Sequence, residues 1–317
     1  MSKPFVRSDV AALLAMIDAA GRPPMQTLGP AEARAGSNAA RALMEVDQGE
    51  LAVVRDFDIS APAGAIGARL FDCEAERGPG DLIVYYHGGG FVIGDLDSHA
   101  PLCADLSRLM KLPVVSVDYR LAPEHPFPAG PDDAIAAARW LAVNSNEIGR
   151  EATRLIVMGD SAGANLALLV AIDLRDHPAA VPVTAQGLIY PVTGPVPHEG
   201  SGLDFADGFV LTRPLMDWFD GHYAPRLGDW RHETHLRGYA GLPPTAIITA
   251  SLDPLRDQGR ALAATLTVEG IETAYLEARG NIHGFATMRR LVPSGHRDIE
   301  RLCAVLRILL GEPARAR

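Results

Sequence analysis

Hydrophobic and polar positions follow two different periods along this chain, and the change occurs near residue 53. Residues 1–50 combine alanine-rich stretches of helical character with proline-containing breaks at 23–24 and 29–30. In 53–59 apolar and polar side chains alternate, as they do in a half-buried strand, and 65–71 follow as a second strand after a turn. The pattern predicts helices first and a sheet after them.

Short apolar runs rich in β-branched residues then recur, separated in most cases by stretches of helical character. Runs of this kind are typical of parallel strands that are buried on both faces. They lie at 82–86, 114–117, 155–158, 187–190, 246–249 and 274–276, and examples of the helical stretches are 132–144, 162–174, 256–269 and 295–310. With the first two strands, they predict an α/β fold with a mostly parallel, eight-stranded sheet and helices on both faces. Ligands bind at the carboxyl ends of the strands in such folds.

Residues 191–241 interrupt this alternation, because no convincing strand pattern occurs there. The large apolar side chains of this segment are Phe205, Phe209, Leu211, Leu215, Trp218, Phe219, Tyr223 and Trp230. One interpretation is a long surface loop whose helices pack on the core, and the other is a lid over a site. We favour the lid because insertions of this length are uncommon without a function. The predicted organisation is a helical cap formed by 1–50 and 191–241 on a main domain that spans 51–317.

Composition and charge disfavour several classes of function. Of the 317 residues, 48% are hydrophobic and 21% are charged, which is ordinary for a globular protein, and the formal net charge is −10. The acidic balance disfavours nucleic acid as a partner, since phosphate contacts need a basic face. The three cysteines, Cys73, Cys103 and Cys303, lack the spacing of a disulfide framework or a zinc site, and they fit a reducing compartment.

No stretch of the chain approaches the roughly 20 apolar residues of a membrane span, so we expect no membrane partner. The apolar run 10–17 raises the alternative of a secretory signal peptide, but Asp9 and Asp18 flank this run and favour an amphipathic helix. The expected location is therefore cytoplasmic.

The strongest chemical signal is Gly-Asp-Ser-Ala-Gly at 159–163, directly after a predicted strand and before a predicted helix. That context is typical of a nucleophile elbow, in which glycines permit the strained backbone of the central serine, here Ser161. The start of the helix also directs amide donors towards developing negative charge. An ordinary turn is the alternative interpretation.

A second signal is His-Gly-Gly-Gly-Phe at 87–91, which follows the third predicted strand. Consecutive glycines leave backbone amides open to a ligand, as an oxyanion hole requires, and the expected donors are the amides of Gly88, Gly89 and Ala162. A phosphate-binding loop is the alternative, but neither Gly-x-Gly-x-x-Gly nor a following Gly-Lys-Ser/Thr is present. We expect His87 to have a structural role.

A serine nucleophile needs a base, and the base needs an acid that orients it. In folds of this kind the three residues follow in the order serine, acid, histidine, each at the carboxyl end of a strand. Asp253 follows the seventh predicted strand, and His283 lies in a glycine-flanked loop after the last one. Asp257 is the rival acid, but it falls inside the next predicted helix. The predicted triad is therefore Ser161, His283 and Asp253.

Taken together, these motifs resemble those of the hormone-sensitive lipase family of bacterial esterases, the family IV carboxylesterases of the α/β-hydrolase fold. They occur in the family's order: His-Gly-Gly-Gly-Phe at 87–91, Asp-Tyr-Arg-Leu-Ala-Pro-Glu at 118–124, Gly-Asp-Ser-Ala-Gly at 159–163, Asp-Pro-Leu-Arg-Asp at 253–257 and Ile-His-Gly-Phe at 282–285. The resemblance covers nearly all of the chain from about residue 50, and the N-terminal helices resemble the family's cap. It implies the α/β-hydrolase fold, the triad and the oxyanion glycines.

The triad and the resemblance together indicate a serine carboxylesterase that hydrolyses esters of small molecules through an acyl-enzyme. The apolar, confined pocket that we expect beneath the cap favours short- to medium-chain esters. The resemblance implies no metal and no organic cofactor, and a homodimer is left open as the assembly. An amidase, a lactonase or a deacetylase on the same triad is the alternative, and a non-catalytic receptor is a further one that the presence of His283 disfavours. The expected pocket lining is Phe91, Asp160, Phe209, Leu211, Ile282 and Phe285.

Two positions depart from the family's pattern, although neither touches the triad. Ala164 stands where glycine is usual, and we expect it to narrow the space beside the nucleophile. Gln258 stands where glutamate is usual, which puts in doubt any role for a second acid after Asp257. We expect the stretch 118–128 to support the oxyanion loop.

Overall fold

Eight strands form a single sheet in the computed structural model, which describes residues 4–311. The strands are β1 (Val53–Ala61), β2 (Gly64–Asp72), β3 (Gly80–Tyr86), β4 (Val114–Asp118), β5 (Ala152–Asp160), β6 (Val183–Ile189), β7 (Thr245–Leu252) and β8 (Thr273–Ile282). Their order across the sheet is β1-β2-β4-β3-β5-β6-β7-β8. β2 pairs antiparallel with β1 and with β4, whereas every other pair is parallel. The predicted fold class is confirmed.

Both faces of the sheet are covered, which explains the continuous apolar runs of the central strands. In β3, Leu82, Val84 and Tyr86 belong to one core cluster, while Ile83 and Tyr85 belong to the other. All five side chains are at most 1% exposed. Because side chains alternate along a strand, a run without a polar member indicates burial on both sides.

The helices lie on both faces of this sheet. Those within residues 4–311 are α1 (Ser8–Ala20), α2 (Pro30–Met44), α3 (Leu96–Met110), α4 (Ala129–Asn144), α5 (Ala162–Asp176), α6 (Ser201–Asp204), α7 (Arg213–Tyr223), α8 (Arg256–Val268) and α9 (Pro293–Leu309). Buried side chains of α4, α5 and α8 belong to one core cluster, and those of α3 and α9 belong to the other. Nearly the whole length of α5 is buried, so the helix that follows Ser161 is fixed on all sides.

The largest difference from the predicted elements is at the last strand. The apolar pattern predicts a strand at 274–276, whereas β8 continues to Ile282. β8 lies at the edge of the sheet and pairs only with β7, so a polar side chain such as Arg279 can remain exposed. An edge strand of this kind carries no continuous apolar run, and hydrophobicity alone therefore ends it too early.

Of the two predicted cap segments, the first is largely helical, whereas the second combines short helices with long irregular stretches. Before β1, the chain forms α1, a 3-10 turn at Met25–Thr27 and α2, while 191–241 contains α6, α7 and a 3-10 turn at Thr234–Arg237. The division into cap and main domain stays a prediction, and residues 1–3 and 312–317 of those segments lie outside the described residues. Over 4–311, no helix combines the length and the apolar character that crossing a bilayer would take.

A buried ion cluster joins the end of α2 to the segment before α9. The side chain of Arg289 is fully buried, and its Nε donates to Glu45 Oε1 at 2.7 Å. Its Nη1 donates to Asp105 Oδ2 in α3 at 2.5 Å. The backbone amide of Arg289 also donates to Glu45 Oε2 at 3.1 Å. A buried carboxylate such as Glu45 needs a counter-charge of this kind, since burial without one is very unfavourable.

We expect Arg289→Met to destabilise the fold strongly, because it leaves the buried Glu45 carboxylate without its counter-charge. The expected loss in the free energy of unfolding is about 3–5 kcal/mol, measured by urea denaturation. Arg290→Met is the matched control: Arg290 pairs with Asp47, which is 94% exposed, so its loss should stay below about 1 kcal/mol. Equal losses in the two variants would contradict the structural role of the buried cluster.

Candidate active site

Ser161 lies at a sharp turn between β5 and α5. Its backbone has φ 55° and ψ −118°, a conformation that residues with side chains rarely adopt, and its amide donates to the carbonyl of Ile189 at 2.9 Å. Gly163 permits the close approach of α5 to β3, since a Cβ at this position would lie 1.9 Å from the carbonyl oxygen of Tyr86. The glycine therefore allows the tight turn that presents the serine at the carboxyl end of β5.

The structure brings the three residues of the predicted triad together. His283 follows directly on β8, and Asp253 follows directly on β7. Nδ1 of His283 lies 2.8 Å from Asp253 Oδ2, and Nε2 lies 2.9 Å from Ser161 Oγ. A carboxylate only accepts hydrogen bonds, so Nδ1 carries the proton and Nε2 presents its lone pair to the serine hydroxyl. This arrangement can remove the hydroxyl proton of Ser161.

Asp253 is held in one orientation by its surroundings. It is fully buried, and its second carboxylate oxygen accepts a hydrogen bond from the amide of Leu255 at 2.8 Å. The rival acid, Asp257, lies in α8 and contacts Ser201 and Arg256. Of the two carboxylates, only Asp253 contacts the histidine in the part of the chain that the structure describes.

The amides of Gly89, Gly90 and Ala162 border the same cavity as the serine, and within residues 4–311 they donate to no protein acceptor. The expectation that Gly88 supplies a free amide is wrong, because this amide donates to Asp160 Oδ1 at 2.8 Å. Gly90 stands in its place: φ values of 123° at Gly89 and 59° at Gly90 turn the loop towards the cavity. Ala162 is the first residue of α5, where helix amides lack an intrahelical acceptor.

Asp160 is a buried carboxylate, 4% exposed, that supports this loop. Its Oδ1 accepts hydrogen bonds from the Tyr85 hydroxyl at 2.7 Å and from the Gly88 amide at 2.8 Å. The Tyr190 hydroxyl lies 3.3 Å from Oδ2, and His99 Nε2 lies 3.2 Å from Oδ1. Burial raises the pKa of Asp160, but contact with His99 and the hydrogen bond from Tyr85 outweigh it, so the pKa lies below its ordinary value. The residue borders the cavity as expected, but its carboxylate bonds to the loop.

His87 stabilises the loop from within the core. Its Nδ1 lies 2.8 Å from the carbonyl oxygen of the next residue, and its ring stacks on Tyr119 with 4.4 Å between centroids. The Tyr119 hydroxyl donates to the His87 carbonyl at 2.7 Å, and the amide of Ala122 donates to the carbonyl of Phe91 at 2.9 Å. The stretch 118–128 thus contacts both ends of the glycine loop. Burial, with a smaller effect of His99, lowers the pKa of His87 to about 3.

A mostly apolar cavity of about 420 Å³ borders Ser161 and His283. Two of the expected apolar lining residues, Phe91 and Leu211, border it. Phe91 is oriented by a stacked contact with Tyr223, with 3.9 Å between ring centroids. Ala164, which we expect to narrow this space, is instead fully buried in the core and does not border the cavity.

The other three expected lining residues, Phe209, Ile282 and Phe285, do not border the cavity. Ile282 is fully buried, because strand alternation turns it away from the side on which its neighbour His283 lies. Phe285 is also buried and packs edge-on against Tyr190, with 5.2 Å between ring centroids. Phe209 packs edge-on against Phe205, with 5.5 Å between ring centroids, in an apolar cluster that also contains residues of α1. A motif position alone does not show which way a side chain points.

Much of the lining was missed at the sequence level, although its spacing is regular. One helical face of α2 borders the cavity, through residues 33, 36, 37, 40, 41 and 44. Leu215 and Phe219, one turn apart in α7, border it from the second cap segment. Residues 192, 194 and 196 alternate towards the cavity, as in an extended segment. The sequence does not reveal the cavity-facing side of α2, because most of its residues there are small and an amphipathic pattern is recognised by large apolar side chains.

Several known proteins resemble this chain in sequence and in fold. A family model described as the alpha/beta hydrolase fold matches residues 83–287. The chain is 40% identical over 233 residues to the carboxylesterase NlhH of Mycobacterium tuberculosis, which covers 71% of this chain and 73% of that protein. It is 34% identical over 296 residues to an ethyl acetate hydrolase of Pseudomonas putida, which covers 90% of this chain and 93% of that protein.

Among solved structures, an ester-hydrolase from the metagenome of Lake Arreo, complexed with a derivative of bipyridine phosphonate, has the same fold. It matches with a TM-score of 0.91 and 39% identity, over 96% of this chain and 99% of the other.

Replacing His87 should reduce the sensitivity of the fold to acid. Burial lowers its pKa to about 3, whereas a histidine of an unfolded chain has a pKa of about 6.5. Between these values the unfolded state binds more protons, so the free energy of unfolding falls as the pH falls. Between these pH values His87 lowers the free energy of unfolding by up to about 1.4 kcal/mol for each pH unit of acidification. Urea unfolding measures the free energy of unfolding at about pH 7 and at about pH 5. The decrease between these two values should be smaller in His87→Gln than in the unaltered protein.

His198→Gln is the control for this experiment, because His198 is exposed. Its loss of stability between the two pH values should equal that of the unaltered protein. An unchanged pH dependence in His87→Gln would contradict the burial of a neutral His87.

Proposed function

This chain belongs to the α/β-hydrolase fold family, within its hormone-sensitive-lipase-like group of esterases, and on that basis we propose that it is a serine carboxylesterase. The observation that carries the proposal is the hydrogen-bonded series Ser161, His283 and Asp253 beside an apolar cavity. Relatives named as a carboxylesterase and an ethyl acetate hydrolase support carboxylic esters as the substrate class. The proposed substrates are small esters with short to medium acyl chains.

The proposed reaction has two halves that share one proton carrier. Ser161 Oγ attacks the ester carbonyl carbon while His283 Nε2 takes the hydroxyl proton. His283 then passes this proton to the departing alcohol, and an acyl-enzyme remains. In the second half His283 takes a proton from water and the resulting hydroxide attacks the acyl carbon. The bond between this carbon and Ser161 Oγ then breaks, the carboxylic acid leaves, and His283 returns the proton to Oγ. Asp253 keeps Nδ1 protonated and stabilises the imidazolium in both halves.

The amides of Gly89, Gly90 and Ala162 are the proposed oxyanion donors. All three border the cavity and lack a protein acceptor among the described residues. In each half of the reaction the carbonyl oxygen becomes negative, and donors that are already oriented stabilise this charge without reorganising. Asp160 contributes indirectly: it holds the preceding amide of Gly88, so that the next two amides remain open.

Residues 1–50 and 191–241 are proposed as the two parts of a cap that limits the length of the substrate. Met25 and Leu28 of the first segment and Leu215 and Phe219 of the second border the cavity. Phe219 lies directly against the oxyanion loop, since a Cβ on Gly90 would lie 2.3 Å from its ring. Apolar side chains thus bound the volume available beyond the triad.

Ser161→Ala tests the assignment of the nucleophile. With p-nitrophenyl acetate, the unaltered protein should release a burst of about one equivalent of p-nitrophenol and carry an acetyl group detectable by mass spectrometry. Ser161→Ala should lose the burst and the adduct, and its turnover should fall by about a thousandfold or more.

Ser60→Ala, at an exposed position of β1, is the control and should behave like the unaltered protein. Turnover that survives in Ser161→Ala would end the nucleophile assignment. If the unaltered protein hydrolyses no ester at all, the proposed function is wrong.

Acyl-chain preference tests the cap. Each methylene that enters the confined cavity adds about 0.8 kcal/mol of binding until the chain meets the wall, and further methylenes must displace packed side chains. We expect kcat/KM to be highest for acyl chains of about two to six carbons, measured across p-nitrophenyl esters from acetate to palmitate. A maximum at long chains, or activation at an oil–water interface, would show that the cap does not limit the substrate.

A further inference from the structure

The side chain of Gln258, in the first turn of α8, bonds to three consecutive residues of the second cap segment. Its Oε1 accepts a hydrogen bond from the amide of Thr193 at 3.0 Å. Its Nε2 donates to the carbonyl of Gly194 at 3.0 Å and to the carbonyl of Pro195 at 2.9 Å. We propose that Gln258 is a positioning residue that sets the acyl-chain selectivity of the esterase by fixing this part of the cavity wall.

The chemistry of the side chain matches this role. One backbone amide and two backbone carbonyls need one acceptor and two donors, and a glutamine amide supplies both. The partners also fix the orientation of the amide group, because only the oxygen can face the Thr193 amide. A carboxylate of the same size could accept from Thr193 but would place negative charge against both carbonyl oxygens. Gln258 is therefore suited to hold this segment at any pH at which the protein is folded.

The segment that Gln258 holds is part of the cavity wall. Val192, Gly194 and Val196 border the cavity, whereas Thr193 and Pro195 do not. Asn165 Nδ2, in α5 one turn after the serine, donates to the carbonyl of Val192 at 3.1 Å. The wall is thus attached both to the helix that follows the nucleophile and to the helix that follows the acid.

The neighbour of Gln258 anchors a second point of the same cap segment. Asp257 Oδ2 accepts from the amide of Ser201 at 2.8 Å, and the amide of Asp257 donates to the Ser201 hydroxyl at 3.0 Å. The first turn of α8 therefore fixes 193–195 through Gln258 and the start of α6 through Asp257. Gln258 stands where the family usually has glutamate. An acid at this position is not needed for these contacts, because the uncharged amide of Gln258 makes all three.

The proposal rests on the proposed esterase function, and Gln258→Glu tests it through the pH dependence of acyl-chain selectivity. We compare kcat/KM for p-nitrophenyl hexanoate with that for p-nitrophenyl acetate and follow the ratio between about pH 5 and about pH 8. Both substrates use the same triad, so titration of the triad cancels in the ratio. In the unaltered protein the ratio should stay constant.

In Gln258→Glu the ratio should fall as the pH rises. At low pH the protonated carboxyl can still donate one hydrogen bond to Gly194 or Pro195, and the wall is kept. As the carboxyl ionises, both carbonyls lose their donor, and we expect the ratio to drop by roughly fivefold or more. Gln258→Ala, which lacks all three bonds at every pH, should show a low ratio throughout.

Charged and titratable groups near position 258 bear on the pH range of this change. They are Arg256, Asp257 and Arg260 on α8, and His232 and Glu233 on the segment that packs beside Gly194. Asp257 is engaged by Arg256 and Arg260, so it is already compensated. The carbonyls of Gly194 and Pro195 remain the groups that oppose ionisation at 258, and they should raise the pKa of the introduced carboxyl.

Ala264→Glu is the matched control, because it adds the same charge at an exposed position of α8. Its ratio should be independent of pH. A ratio in Gln258→Glu that equals that of the unaltered protein at every pH would overturn the proposal, as would an equal pH trend in Ala264→Glu.

Failure of the esterase function would be recognised separately, because the unaltered protein would then hydrolyse neither ester. Urea unfolding tests the contacts of Gln258 in that case. The deficit in stability of Gln258→Glu relative to the unaltered protein should grow as the pH rises. A deficit that does not change with pH would overturn the proposed contacts themselves.

Discussion

The sharp turn at Ser161 is the constraint on which the rest of the site depends. A positive φ at a residue with a side chain costs about 1–3 kcal/mol, and it persists only where the surroundings determine it. Here β5 and α5 are both buried, and a Cβ at Gly163 would overlap the carbonyl of Tyr86, so the strand and the helix leave one path for the chain. This one turn positions the serine hydroxyl, the amide of Ala162 and the carboxylate of Asp160.

Asp160 connects this turn to the glycine loop. Because its Oδ1 accepts from the Gly88 amide, the position of the loop follows the position of the turn. Burial would favour a neutral carboxyl, but the surrounding donors keep Asp160 ionised, and an ionised acceptor forms the stronger hydrogen bond. Ser161 and the proposed oxyanion donors are therefore joined by one polar network in the core.

The N-terminal helices are bonded to this network and do not only cover the cavity. Arg41 Nη1 of α2 lies 3.0 Å from His99 Nδ1, and the other nitrogen of that ring approaches Asp160. Arg34, two turns earlier, donates at 2.8 Å to the carbonyl of Val92, directly after the glycine loop, and at 2.8 Å to the carbonyl of Ala122, in the stretch 118–128. These hydrogen bonds fix the position of α2 relative to the glycine loop. Once α2 is placed in this way, helical periodicity determines which of its residues border the cavity.

The sequence by itself determined the fold class, the eight strands and the three residues of the triad, because these depend on local signals: apolar runs, glycine turns and the order of motifs along the chain. Only the tertiary structure decided which way side chains point and which donors are already engaged. The motif predicts a free amide at Gly88, but this amide donates to the carboxylate of Asp160, and it predicts Ile282 in the pocket, whereas strand alternation buries this side chain. The partners of Gln258, more than sixty residues earlier in the chain, are set by long-range packing that no local pattern encodes.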